Sequence, residues 1–273
     1  LVYWPAPKPQ TMKRLFFDCE TSPNVVYSWR IGYKIDLSHD NIIEERRIIC
    51  ISYKWEGSDE VHTLTWDGKR CDKDLCRKFA KIAAGADEMV AHNGDRFDIK
   101  WFRTRCLIHG IEAMPNYVTI DTLKLAKSGF YFNSNRLDYL GSLLAGGGKK
   151  DTGGFGLWKA TMAGDRKALK LMADYCEQDV KVLERVFKKL QPYSKHRTHV
   201  GVLAGGYKHH CPVCTSDDTK RNKSKVTAAG SPQVQMVCNN CLATTGKRTY
   251  WTMAESSYWK SKADERKAKG YLK

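Results

Sequence analysis

Two acidic residues close an apolar run. In "RLFFDCETSPNVV" (residues 14–26), Asp18 and Glu20 stand two apart at the end of what reads as an interior strand, just ahead of a Ser-Pro turn. Side chains alternate along a strand, so these two carboxylates share a face and sit side by side. Two further acidic sites occupy comparable edges. "MVAHNGDRFDIKWF" runs a strand into the turn dipeptide Asn93-Gly94 and then a helix with Asp98 in its first turn. "ADYCEQDVKVLERVF" places Tyr175 and Asp179 four apart, on one face of a helix. Four carboxylates and a phenol can thus converge from three elements. Clustered oxygen ligands suit Mg²⁺ or Mn²⁺, and two such ions about 4 Å apart stabilise both the attacking and the leaving oxygen of a phosphodiester displacement. The ions also remove the repulsion among the acids.

Neighbouring acids have simpler roles. Asp95 reads as the N-cap of the helix that carries Asp98, and Asp121, between a strand and "TLKLAK", reads as another cap. Asp174 and Glu177 point away from the Tyr175 face and are expected to be solvated.

The elements that must position these groups can be read along the chain. Strands are expected at Leu15–Phe17, Ile48–Trp55, Val61–Trp66, Met89–His92 and Tyr117–Ile120. Helices are expected at Asp74–Ala84 and Phe97–His109, from Thr122 onward, and from Asp165 to Leu190. Three successive strands followed by alternating helices and strands indicate an α/β domain with a mixed sheet, antiparallel first and parallel afterwards. The glycine-rich "AGGGKKDTGGFGLWK" lacks the Gly-Lys-Ser/Thr ending of a phosphate loop and reads as a mobile loop, whose Lys149 and Lys150 could steer phosphate.

"FDCET", "HNGDRFD" and "YCEQD", in that order, resemble the three exonuclease motifs of the DnaQ-like, or DEDD, superfamily of 3′–5′ exonucleases. The Tyr-x-x-x-Asp spacing matches its Tyr subclass (DEDDy), which includes proofreading domains of DNA polymerases and RNase D-like ribonucleases. The resemblance covers Leu15 to Leu190 and implies an RNase H-like fold. It implies that Asp18 bridges two metals, Glu20 and Asp179 complete the ion that activates water, and Asp98 helps hold the leaving-group ion. Tyr175 would orient the attacking water, and Thr21, Asn93 and Phe97 would contact the substrate strand. The second motif looks closer to proofreading exonucleases, so single-stranded DNA is the expected substrate, with mononucleotides released. RNase D-like trimming of RNA is the alternative within the same chemistry. A non-catalytic nucleic-acid-binding or replication adaptor is the alternative outside it, and the full set of five site residues argues against that.

The 273 residues carry a formal net charge of +16, which favours a polyanionic partner. No apolar run approaches the roughly 20 residues of a membrane span. "LVYWPAPKPQ" lacks the apolar core of a secretory signal, so a cytoplasmic protein is expected.

Six of the ten cysteines (Cys19, Cys50, Cys71, Cys76, Cys106, Cys176) are scattered through regular elements and read as reduced. The other four, in "HHCPVC" and "VCNNC", form two Cys-x-x-Cys knuckles. Cys211, Cys214, Cys238 and Cys241 are the expected ligands of one structural Zn²⁺ in a zinc ribbon. His209 and His210 abut the first knuckle and could replace a cysteine, support the ligands or simply be exposed. Lys220, Arg221, Lys223, Lys225, Lys247, Arg248, Tyr250 and Trp251, followed by a basic tail from Trp259 to Lys273, interleave charge with rings, a pattern that suits single-stranded nucleic acid. A zinc-stapled module that docks a replication or repair protein is the competing reading. The expected organisation is an N-terminal extension (1–12), the exonuclease domain (13–192), a linker (193–208), and the zinc ribbon with its tail (209–273).

Overall fold

A computed structural model describes residues 12–32, 35–112, 117–147, 154–194, 198–246 and 248–271. Lys149, Lys150 and Lys247, and the extension up to residue 11, lie outside the described residues. The chain forms two compact units, one spanning Lys13–Tyr193 and the other containing Ser194–Lys273.

The first unit opens with β1 (Arg14–Thr21), followed by the short strands β2 (Val25–Val26) and β3 (Ile42–Glu44), which pair with each other in a separate small sheet. Then come β4 (Ile48–Trp55), β5 (His62–Thr65), α1 (Lys73–Ala83), β6 (Glu88–Ala91), α2 (Asp98–Ile108) and β7 (Thr119–Asp121). Helices α3 (Thr122–Gly129), α4 (Leu137–Ala145), α5 (Gly156–Met162) and α6 (Arg166–Leu190) complete it. The five-stranded sheet runs β5-β4-β1-β6-β7. β1 pairs antiparallel with β4 and parallel with β6, giving the expected mixed sheet with helices on both faces.

Alternation along β1 explains the two layers. Leu15, Phe17 and Cys19 pack with Leu75, Phe79 and Phe102 of α1 and α2, whereas Phe16 faces Val180, Leu183 and Phe187 of α6. Phe16 meets Phe187 edge-on, with centroids 5.5 Å apart. α6 begins at an Asp165 cap that accepts from the amides of Lys167 and Ala168, and it buries Met172, Cys176, Val180, Leu183 and Phe187 at helical spacing. Polar ties set its height on the sheet. Lys54 pairs with Glu184, Ser52 Oγ lies 2.7 Å from Thr63 Oγ1, and Thr63 donates to Glu177 at 2.8 Å. Glu177 is therefore a clamp between α6 and β5 rather than a solvated acid. The glycine-rich stretch also differs from the expected loop: its last residues, from Gly156, open α5 (Gly156–Met162), and Trp158 Nε1 donates to the Thr21 carbonyl at 3.1 Å.

The second unit contains α7 (Val200–Leu203), β8 (Thr219–Val226), β9 (Pro232–Cys238), α8 (Asn239–Thr245), β10 (Thr249–Ala254) and α9 (Glu255–Ala268). Its three-stranded sheet runs β10-β9-β8. Part of the stretch read as a linker folds with this unit, since the Val200 amide donates to the Pro212 carbonyl at 3.0 Å. Much of the expected basic tail is helix α9. Ser261 and Glu265, one turn apart, hold the buried His209 through Oγ···Nδ1 (2.7 Å) and Oε2···Nε2 (3.0 Å) contacts. Among the described residues no helix is long and apolar enough to cross a membrane.

Candidate active site

Asp18 and Glu20 continue the Phe16 face of β1 and so point toward α6. There they meet Asp179, which is 1% exposed. These three acids each offer a carboxylate oxygen, and the oxygens all lie within 4.8 Å of one another. Tyr175 is one turn before Asp179 on the same helix. Between them, Cys176 Sγ reaches the Asp18 carbonyl (3.3 Å) and Asp18 Oδ2 (3.6 Å), which seats α6 directly against the first acid. Burial raises the Cys176 thiol well above its usual pKa, so it stays neutral.

Asp98 arrives from the other side of the sheet and is not part of that three-acid group. It is 2% exposed, and its Oδ1 accepts the backbone amide of Cys19 at 3.0 Å. Cys19 lies between Asp18 and Glu20, so Asp98 grips the backbone that carries both. The Asp98 carboxyl is raised to about 6, chiefly by burial and also by the Asp121 charge, against the Cys19 hydrogen bonds that pull it down.

The turn that aims Asp98 is tightly specified. Asn93 has φ 66°, a left-handed conformation that asparagine tolerates. A Cβ on Gly94 would lie 2.4 Å from the Ala91 Cβ, so only glycine fits there. Asp121 Oδ1 accepts the Asn93 amide (2.9 Å) as well as the Leu123 and Lys124 amides, so it caps α3 and fastens the turn. Asp95 does not cap α2. The helix starts later, at Asp98, and Asp95 pairs with Lys124 at 2.6 Å.

A cleft of about 580 Å³ opens beside Asp18 and is lined by His92, Asn93, Lys127, Asn135 and Arg136 among others. Of the three expected substrate contacts, Asn93 lines this cleft. Thr21 is 8% exposed beneath α5, and Phe97 packs against the α1–α2 core. His92 carried no expectation, yet its ring spans from Thr122 Oγ1 (2.8 Å) to the Asn135 carbonyl (2.9 Å) and ties β6 to the α3–α4 connection. The adjacent histidine in "AHNGD" was the available signal. Lys127 and Arg136 had none, because only the folded α3–α4 connection brings them to Asp18.

The donor sets fit two kinds of ion. Three convergent carboxylates offer hard oxygen ligands for Mg²⁺ or Mn²⁺. In the second unit the sulfurs of Cys211, Cys214, Cys238 and Cys241 all lie within 4.8 Å of one another. Cys211–Cys241 and Cys214–Cys238 are separated by 3.7 and 3.5 Å. Those separations are too long for disulfides and close to the roughly 3.8 Å edge of a tetrahedron with 2.3 Å zinc–sulfur bonds. Knuckle amides stabilise the thiolates: Val213 and Cys214 donate to Cys211 Sγ, and Cys241 donates to Cys238 Sγ at 3.3 Å. His209 and His210 are not among these ligands. With Glu265 they form a separate group, and burial holds both rings below the usual imidazole pKa, His209 at about 4.

Comparison with known proteins agrees with this architecture. The structure of the family B DNA polymerase from the hyperthermophilic archaeon Pyrobaculum calidifontis superposes with a TM-score of 0.51 and 15% identity, over 68% of this chain and 25% of the polymerase chain. The transcriptional repressor NrdR of Fusobacterium nucleatum is 41% identical over 59 residues, which is 22% of this chain and 38% of the repressor. A family model described as the RNase H superfamily matches residues 35–191. That match begins after β1, so it contains Asp98, Tyr175 and Asp179 but not Asp18 or Glu20. Because that match extends over more than half of the chain, the chain belongs to the RNase H superfamily.

Proposed function

We propose that this protein is a metal-dependent 3′–5′ exonuclease of the DEDDy type, acting on single-stranded DNA and releasing nucleoside monophosphates. Membership of the RNase H superfamily supports a nucleic-acid hydrolase in general. The observation that carries the finer reading is the convergence of Asp18, Glu20 and Asp179 within 4.8 Å, with Tyr175 one turn away on α6. In this reading Asp18, Glu20 and Asp179 hold divalent ions, with Asp98 behind them. Bound there, such ions would supply charge stabilisation to the attacking and leaving oxygens. Tyr175 holds the attacking water by its hydroxyl. His92 and Asp121 keep the Asn93 turn in place, and Lys127 and Arg136 supply positive charge to a strand entering the cleft beside Asp18. The four-cysteine cluster holds a structural zinc ion.

The test is chromatography of the products from matched DNA and RNA oligonucleotides incubated with Mg²⁺, Mn²⁺ or EDTA. Mononucleotides formed only with the divalent ion, and faster from DNA, are the expected result. Faster release from RNA would replace the DNA preference with RNA trimming. Intact strands under every metal condition, with binding retained, would replace catalysis with the adaptor reading.

A further inference from the structure

β8 (TKRNKSKV) is the edge strand of the second unit's sheet and is exposed along nearly its whole length. With regular alternation, Lys220 would point opposite to Lys223 and Lys225. The pairing with β9 is not regular, because its register shifts between Arg221 and Lys223. Lys220 opposes Val237, Lys223 opposes Gln235, and Lys225 opposes Gln233. Directly opposed residues share a face, and Val237, Gln235 and Gln233 share one face of β9. The single extra residue, Asn222, therefore rotates the strand so that all three lysines stand on the same side. Asn222 also holds the bulge, donating through Nδ2 to Gln235 Oε1 at 2.7 Å.

The same side carries Tyr250 and Thr252 of β10, opposite Val237 and Gln235. Tyr250 is 40% exposed, and its hydroxyl lies 3.5 Å from Arg248 Nη1. The other side carries the buried Val234 and Met236, together with Arg221, whose charge is answered by Glu255 at 2.9 Å; on the lysine side Val237 is buried too, between Lys220 and Tyr250, while the lysines themselves are exposed. No acidic residue occupies a strand position of the lysine side. Like charges gathered on one sheet face repel, so the arrangement is complementary to an extended anion.

We propose that this lysine face binds the phosphate backbone of single-stranded nucleic acid, with Tyr250 offering a ring for base stacking. The choice of nucleic acid over other polyanions rests on the nuclease reading.

The test is fluorescence anisotropy of the full-length protein with labelled single-stranded DNA over a salt series, without added Mg²⁺ or Mn²⁺ so that the strand stays whole. Three phosphate contacts on a single strand contribute a slope of about 2 in log K against log salt, equivalent to about 100-fold in affinity at about 0.1 M salt. K220Q/K223Q/K225Q should lose that slope and affinity, while K73Q/K78Q/K81Q, with the same net charge change on α1, should not. Unchanged binding in the first variant, or an equal loss in the control, overturns the proposal. If the triple variant loses its zinc, the single exposed substitutions Lys220→Glu, Lys223→Glu and Lys225→Glu decide: each should lower the slope by about 0.7, Lys78→Glu should not, and three unchanged slopes overturn the proposal. Hydrolysis of a dinucleotide with Mn²⁺ is read separately. Its absence in the wild type would refute the nuclease reading whatever the salt slopes show.

Discussion

The backbone amide of Cys19 donates to the buried carboxylate of Asp98 at 3.0 Å, joining the strand that carries Asp18 and Glu20 to the first residue of α2. An asparagine side chain can still accept that hydrogen bond but brings no negative charge. Asp98→Asn is therefore expected to keep the fold and to lower turnover by about 100-fold or more. Thermal melting alongside single-turnover hydrolysis checks this, and a loss of stability as large as the loss of activity would make Asp98 a purely structural residue.

Tyr175→Phe removes one hydroxyl beside the acids and leaves every carboxylate in place. Turnover should fall by about 100-fold, the scale of a misplaced reacting group. The Mn²⁺ concentration giving half-maximal activity should stay the same. A shifted metal requirement with unchanged maximal rate would place Tyr175 in metal binding instead.

Acid stability should report on Asp72, which is fully buried and bonded to Arg105 (2.7 and 2.9 Å), His109 (2.6 Å) and the Ile48 amide. Burial works to raise its carboxyl, but the bonds from Arg105, Ile48 and His109 outweigh that and hold it below the ordinary value of 3.8. A depressed carboxylate contributes stability that is present above the unfolded value and lost as pH falls through the folded one. Asp72→Asn should thus cost about 3 kcal/mol at neutral pH by stranding a buried guanidinium. In denaturant titrations across pH, the difference from wild type should shrink below pH 3.8. A pH-independent difference would contradict this assignment.

Removal of zinc should act on the second unit. Among the described residues its buried hydrophobics besides cysteines are Val200, Val234, Met236 and Val237, a small core, so chelation is expected to unfold it while the Lys13–Tyr193 sheet persists. Hydrogen exchange would show protection lost in β8–β10 and retained in β1, β4 and β6. Retained protection in β9 after zinc removal would contradict a structural role for the ion.

Much of the first unit was legible because its signals are local. Alternation in "RLFFDCET" put Asp18 and Glu20 on one face, and helical spacing did the same for Tyr175 and Asp179. The partner of Asp98 was not legible, because the Cys19 amide has no sequence signature and reaches Asp98 only when α2 packs on β1. The cleft residues Lys127 and Arg136 are likewise assembled by the α3–α4 connection. α9 read as a tail because its many cations masked Ser261 and Glu265, whose role depends on His209 some 50 residues earlier. The bulge at Asn222 was hidden for the same reason, since a register shift belongs to two strands at once.

The central measurement is a denaturing-gel time course on 5′-labelled single-stranded DNA with Mg²⁺, comparing wild type with Asp18→Ala and Asp179→Ala. A ladder that shortens from the 3′ end for wild type, with both variants inactive but still bound to the strand, is the predicted result. Cleavage by Asp18→Ala at the wild-type rate would contradict the carboxylate metal site.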